Sequence, residues 1–144
     1  RWSVGGLYDN VHCKIAFQDR QNFGSGHGWS GANYVAWNTV GFLICQQPPT
    51  AQNFAIGHVG EKHPGAFRQR GIRWEEENPG KTAPVQMSQK DGWWEHHGTH
   101  VAPRSLYLKQ LEDRLGREAL EAVTTPEQRV GVIYEQLRTL VSKE

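Results

Sequence analysis

A chain of 144 residues has room for one domain of ordinary size, and 16 basic against 15 acidic residues leave it near neutrality. That balance offers no general attraction to nucleic acid or to an anionic membrane surface. No run approaches the ~20 consecutive apolar residues of a membrane-spanning helix, and the two cysteines are too few for a disulfide framework.

Residues 1–60 hold short apolar runs separated by turn formers. Trp2–Val4, Val11–Phe17, Tyr34–Trp37, Gly41–Cys45 and Phe54–Ile56 are predicted strands, bounded by Asp9-Asn10, Gly24-Ser25-Gly26, Gln47-Pro48-Pro49 and Gly57. No helical period is sustained here. The segment also matches itself. Val11, Ile15 and Gln18 align with Val40, Ile44 and Gln47, each 29 positions on, and Trp37–Gly41 aligns with Ile56–Gly60 after 19. Similarity at a fixed period of about 20–50 residues marks stacked units, none of which can bury its apolar face alone. Asn10 and Asn38 fall at the bends, where an amide satisfies backbone groups and the residue tolerates a left-handed conformation. The opening Arg1–Leu7 already reads as structured chain, so further units are expected before it.

Residues 61–103 change character, with Pro64-Gly65, Asn78-Pro79-Gly80, Pro84, Pro103 and the acidic run Glu75-Glu76-Glu77. The prediction is one or two irregular last units, then a strap along the stack pinned by Trp74, Trp93 and Trp94. Residues 104–144 turn helical. Leu106, Leu108, Leu111 and Leu115 form an apolar face between Ser105 and a terminating Gly116. Thr125-Pro126-Glu127-Gln128 reads as the N-cap and first turn of a second helix, with the stripe Val130, Ile133, Leu137, Leu140 and Val141. The first helix would cap the open end of the stack; the second would pack on a neighbouring module or join copies into a homo-oligomer.

The passage from Asp19-Arg20 through Gly24-Ser25-Gly26-His27-Gly28-Trp29-Ser30-Gly31-Ala32-Asn33 to Val35-Ala36-Trp37-Asn38 resembles the final rungs of secreted bacterial right-handed parallel β-helix proteins. Gln46-Gln47-Pro48-Pro49-Thr50-Ala51-Gln52-Asn53-Phe54-Ala55-Ile56-Gly57 continues the likeness, and Thr99–Leu108 with Gln110-Leu111 and Arg114-Leu115-Gly116 resembles the tail of the same group. That group belongs to the pectate-lyase-like superfamily, and the resemblance covers residues 1–116. It implies terminal rungs of a right-handed parallel β-helix, and the last helix lies outside it; with the strap and helices read above, the expected fold is mainly β, rungs and irregular strap over 1–103 and C-terminal α-helices over 104–144. It also implies a secreted, cell-surface or periplasmic protein that meets polysaccharide. The superfamily's usual acidic or calcium-binding cluster has no match here, so no catalytic residue is carried over.

Candidate site residues come from the chain itself. Asp19, Arg20 and His27 offer a base, a carboxylate to hold it and a guanidinium for a uronate, the set that acid–base cleavage of an acidic sugar would use; the plain alternative is a turn with a surface histidine. Lys14, Gln18, Gln46 and Gln47 would face outward if Ile15 points inward, and would line a sugar groove or stand as solvated positions. Asp9, Asn10, Asn38 and His58 read as a backbone-satisfying corner ladder. His96-His97-Gly98-Thr99-His100 is the densest set of metal-ligand types, but Gly98 argues against a helical zinc pair, so its histidines are expected to hydrogen-bond the stack, and neither metal nor cofactor is expected. Cys13 and Cys45 read as free thiols in the stack, with a bridge left open for an oxidising compartment. The leading expectation is part of a polysaccharide lyase or glycoside hydrolase whose main catalytic rungs lie upstream. The alternatives are a non-catalytic carbohydrate-binding or surface-attachment module and a purely structural cap.

Overall fold

The computed structural model describes residues 2–22, 28–84, 87 and 89–131. The chain divides into two compact units, Arg1–Val101 and Ala102–Glu144. Strand takes about 31% and helix about 30% of the described chain, so the protein is mixed α/β rather than mainly β.

The first unit is built on parallel sheets. Its strands are β1 (Ser3–Val4), β2 (Leu7–Asp9), β3 (His12–Phe17), β4 (Gly31–Ala32), β5 (Val35–Trp37), β6 (Val40–Gln47), β7 (Phe54–Ile56), β8 (Val59–Lys62), β9 (Lys90–Asp91) and β10 (Trp93–Glu95). β1 pairs with β4; β2, β5, β7 and β10 lie side by side; β6 lies between β3 and β8; all of these pairings are parallel. The partners Ser3↔Gly31, Leu7↔Val35 and His12↔Val40 each lie 28 residues apart, so one offset serves all three sheets. The next offset is 19, with Trp37 on Ile56 and Val40 on Val59, as the sequence alignment has it.

The first offset corrects the sequence reading by one residue. Ile15 pairs with Leu43, not Ile44, and a one-residue slip exchanges the faces of a strand. The slip is invisible in sequence because β6 is buried on both faces: Leu43 and Cys45 on one, Ile44 and Gln46 on the other. A strand covered on both sides loses its apolar–polar alternation.

Sharp bends separate the strands at recurrent positions. Asn10, Asn38, Gly57 and His96 directly follow β2, β5, β7 and β10, with φ of 57°, 49°, 69° and 50°. The first three hand their N–H to the last carbonyl of the neighbouring strand: Asn10 to Trp37, Asn38 to Ile56 and Gly57 to Glu95. Asparagine tolerates this left-handed region better than most residues. At Gly57 a Cβ would sit 2.2 Å from Asn38 Oδ1, so glycine is required there on two counts. Asn38 is itself engaged, exchanging two 2.8 Å hydrogen bonds with the backbone of Val101.

Between the sheets lie Ile15, Phe17, Ala36, Leu43, Cys45 and Ala55, with Val11, Tyr34 and Trp94 packed against them. Phe17 meets Tyr8 and Tyr34 in tilted ring contacts at 5.5 and 5.1 Å between centroids, a geometry the aromatic quadrupoles favour. Cys13 and Cys45 are both free thiols, Cys13 exposed and Cys45 buried.

Residues 61–103 are more regular than predicted. A helix, α1 (Ala66–Glu77), follows β8 and carries Trp74, which is therefore a helical residue and no strap anchor. Its signals are poor: Gly65 at the N-cap supplies no side-chain bond, Gly71 interrupts it, and the acidic run occupies the end where the helix dipole disfavours it. Gly71 faces Met87, whose carbonyl would lie 2.2 Å from an added Cβ, so this mid-helix glycine permits close packing. Trp93 and Trp94 sit in β10, a full member of the parallel sheet.

The second unit holds α2 (Leu106–Val123) and α3 (Pro126–Val130). Ser105 caps α2 by accepting from Leu108 N–H, and Gly116 (φ 83°) breaks it where a helix end is expected, after which helix resumes to Val123. Thr125 opens α3 with a capping box closed by Gln128, and Pro126 stands at the first position. Gly131 is left-handed. The rest of the expected second-helix stripe, Ile133, Leu137, Leu140 and Val141, and any oligomer contact through it, lie outside the described residues. Among the described residues no helix is long and apolar enough to cross a membrane.

Candidate binding site

The chain leaves β3 through a tight turn. Asp19 is 5% exposed; its N–H donates to Gln46 Oε1 at 2.7 Å, and its Oδ1 accepts from Gln21 N–H at 2.9 Å. Gln21 and Gly28 then close the loop, with Gly28 N–H on the Gln21 carbonyl and Arg20 N–H on that of Gly28. On the far side Gln46 Nε2 donates to the Pro64 carbonyl at 2.7 Å. The β3 exit, the end of β6 and the segment before α1 are thus tied through one buried amide.

This knot frames an open hollow of about 330 Å³. Asp19, Gln21, Gln47, Thr50, Gln89 and Lys90 supply its polar lining, and Pro48 and Pro49 its stiff rim. β9 brings in Lys90 by pairing antiparallel with β6, Gln47 on Lys90 and Gln46 on Asp91, beyond the last β8 partner, Leu43. Two of the lining residues are conformationally costly: Gln21 has φ 47° and Thr50, β-branched, has φ 61°. Strained non-glycine residues cost of order 1–3 kcal/mol each and collect where geometry serves a site. Gln21 Oε1 is also buried without a hydrogen-bond partner among the described residues.

The structure brings Asp19 and Gln47 together at this hollow, as two of its walls. Gln46, 1% exposed and bonded at both amide atoms, is a tie behind the wall and presents nothing to a ligand in this conformation. Gln18 is half-buried, with its N–H on Ser30 Oγ. Lys14 stands exposed on β3 in a row with Phe42 and Glu61, outside the lining. Arg20 is half-buried in the loop and does not line the hollow. His27 lies outside the described residues. Gln21, Thr50, Gln89 and Lys90 were not legible as partners of Asp19, because no spacing announces a wall assembled from two loops and an antiparallel strand.

The histidines form a separate cluster. His58 is fully buried, its Nδ1 2.9 Å from Thr39 Oγ1, and its ring stacks on His97 at 5.9 Å and 3°. Trp94 meets both rings edge-on, and Lys62 lies 4.9 Å over the Trp94 ring while pairing with Asp91 at 3.0 Å. Burial, and next the neighbouring His97, push the His58 imidazole below its ordinary range, against opposing backbone groups of Glu61, Gly41 and Thr39. His97 Nε2 bonds the Gly60 carbonyl and His100 Nδ1 that of Gly57, so these side chains fasten the 96–101 segment to the strands. Burial, reinforced by Asp91 and opposed by Lys62, drives the Cys45 thiol up to about 12, which removes it as a nucleophile. Among the described residues no three His, Cys, Asp or Glu side chains gather as a metal site.

No protein-family model, curated protein or solved structure matches the chain.

Proposed function

We propose that this chain is a polysaccharide-binding segment of a secreted or cell-surface protein, its first unit being terminal rungs of a right-handed parallel β-helix, with the polymer held at the Asp19–Lys90 hollow. The common 28-residue offset of three parallel sheets supports the coiled arrangement, since stacked turns advance every strand together. One observation carries the functional reading. Among the described residues the hollow converges three amides, a hydroxyl, one carboxylate and one ammonium on a space of ligand size, with the buried Gln21 Oε1 unspent. Such a set matches the alternating donors and acceptors of sugar hydroxyls.

Binding is favoured over cleavage. Glycoside hydrolysis uses two carboxyl groups flanking the scissile bond, and Asp19 is the single carboxylate among the described lining residues. The lyase reading needs Asp19, Arg20 and His27 to converge, and Arg20 is not among the described lining residues. The experiment is affinity electrophoresis and calorimetry against soluble neutral and acidic polysaccharides, with wild type, Asp19→Asn and Gln47→Ala. Retention of a polysaccharide by wild type, weakened about tenfold or more in either variant, is the expected result. Equal retention by all three proteins removes the hollow from the function.

A further inference from the structure

Beside the first hollow lies a second of about 470 Å³, walled by Arg68, Ile72 and Glu75 of α1, by Pro64 and by Asp91. The two share Gln89 and Lys90 as common wall, so their linings together reach from the Asp19 turn to the half-buried Arg68, Ile72 and Glu75 of α1. Each falls within the roughly 300–1,000 Å³ of small-ligand sites. From this geometry we infer that the pair is one groove for an uncharged oligosaccharide at least two rings long, a deepening that rests on the carbohydrate reading above.

Length follows from the shared wall. A ligand seated against Asp19, Gln47 and Thr50 must pass Gln89 and Lys90 to continue, and beyond them it meets a different surface. Pro64 and Ile72 give that second hollow an apolar patch suited to the C–H face of a pyranose, which the first hollow offers only through its prolines.

Neutrality follows from the charges. In the second hollow Arg68 pairs with Glu75 at 3.6 Å, and Asp91 pairs with Lys62 at 3.0 Å. Among the described lining residues, what remains outside these ion pairs is one carboxylate, Asp19, and one ammonium, Lys90. A polyuronate would bring one negative charge per ring past the Asp19 carboxylate, with Lys90 the one lining cation among the described residues outside an ion pair to receive it. A desolvated charge without a partner is costly. A neutral chain meets no such penalty.

The test is calorimetric titration of the full chain with neutral cello-, xylo- and manno-oligosaccharides of one to four rings, and with oligogalacturonides of the same lengths. At least one neutral series should gain about tenfold in affinity between one ring and three, and the uronates should bind more weakly at every length. Ile72→Ala should erase the gain with length while leaving single-ring affinity intact, an outcome that general destabilisation does not produce. Asp19-dependent binding that is the same for one ring as for three, or that favours uronates, overturns the groove while leaving the binding reading standing. If no series binds, in wild type or in Asp19→Asn, both fall together.

Discussion

Asn53 is the side chain on which the first unit's stacking can be tested most directly. It lies in the connection between β6 and β7 and is 1% exposed. Its Nδ2 donates to the carbonyls of Gly31 and Gln46, both at 2.9 Å, and its Oδ1 accepts from Tyr34 N–H at 2.9 Å. One amide therefore joins the start of the β7 turn to three points of the turn before it, beside β4, β5 and β6. A neutral hydrogen bond contributes about 1 kcal/mol net, and a buried donor left without a partner costs about 1–3 kcal/mol. Three lost bonds with the Tyr34 N–H stranded put Asn53→Ala at roughly 4–6 kcal/mol, a large share of the ~5–15 kcal/mol that holds a domain. All six tryptophans fall before residue 101, so their fluorescence follows the first unit alone through denaturant unfolding. The midpoint should fall steeply with an unchanged slope. Asn53→Asp is the sharper variant: it keeps the acceptor for Tyr34 but turns a carboxylate toward two carbonyls, so it should be at least as damaging at neutral pH and recover partly in acid. A loss under about 1 kcal/mol for Asn53→Ala would refute the account of the stack as tied through this residue.

Two further predictions concern buried chemistry. His58 is held neutral by burial and by His97, so its folded value lies below the unfolded 6.5. The unfolded chain then binds a proton that the folded one refuses, so the stability that neutral His58 supplies is complete above 6.5 and is lost as pH falls below it. Unfolding midpoints taken from about pH 8 to about pH 5 should decline, and His58→Gln should flatten that part of the profile; an unchanged slope in the variant would show the titration to lie elsewhere. For the thiols, a disulfide reagent at neutral pH should label Cys13 in the native protein and reach Cys45 only after denaturation, because Cys45 is buried and its thiol is pushed up to about 12. Two rapidly reacting native thiols would contradict the burial of β6.

How far the fold was legible depends on which faces are covered. The 19-residue offset could be read because Val40-Gly41 and Val59-Gly60 repeat in kind, and the structure needs them to: Gly41 and Gly60 pair where the backbones press together, and a Cβ on Gly60 would lie 2.2 Å from the Gly41 carbonyl. The left-handed bends at Asn10 and Asn38 were legible because asparagine suits them. The 28-residue offset slipped to 29 because Leu43-Ile44-Cys45 is apolar on both faces and gives periodicity nothing to hold. α1 was lost for the opposite reason. Its intrinsic signals oppose a helix at the cap, the middle and the end, and its place depends on tertiary contacts such as Gly71 against Met87.

The candidate site was half legible for a related reason. Asp19 and Gln47 stand out in sequence as polar residues that end apolar strands, and a polar residue there must either be tied down or serve a ligand. Parallel stacking brings the ends of β3 and β6 to one edge, and Gln46, tied behind them, holds Asp19 in place through its backbone. The remaining walls come from β9, which reverses direction to pair where β8 has already turned away. A regular repeat cannot encode that reversal, since it marks where the repeat ends. The groove therefore belongs to the place where parallel pairing gives way, and the strained φ values of Gln21 and Thr50 fall on its wall and not within the stack. The left-handed positions Asn10, Asn38 and His96 recur at the bends between strands, whereas Gln21 and Thr50 lie off that pattern, on the wall of the proposed site, where strain serves geometry and not the repeat.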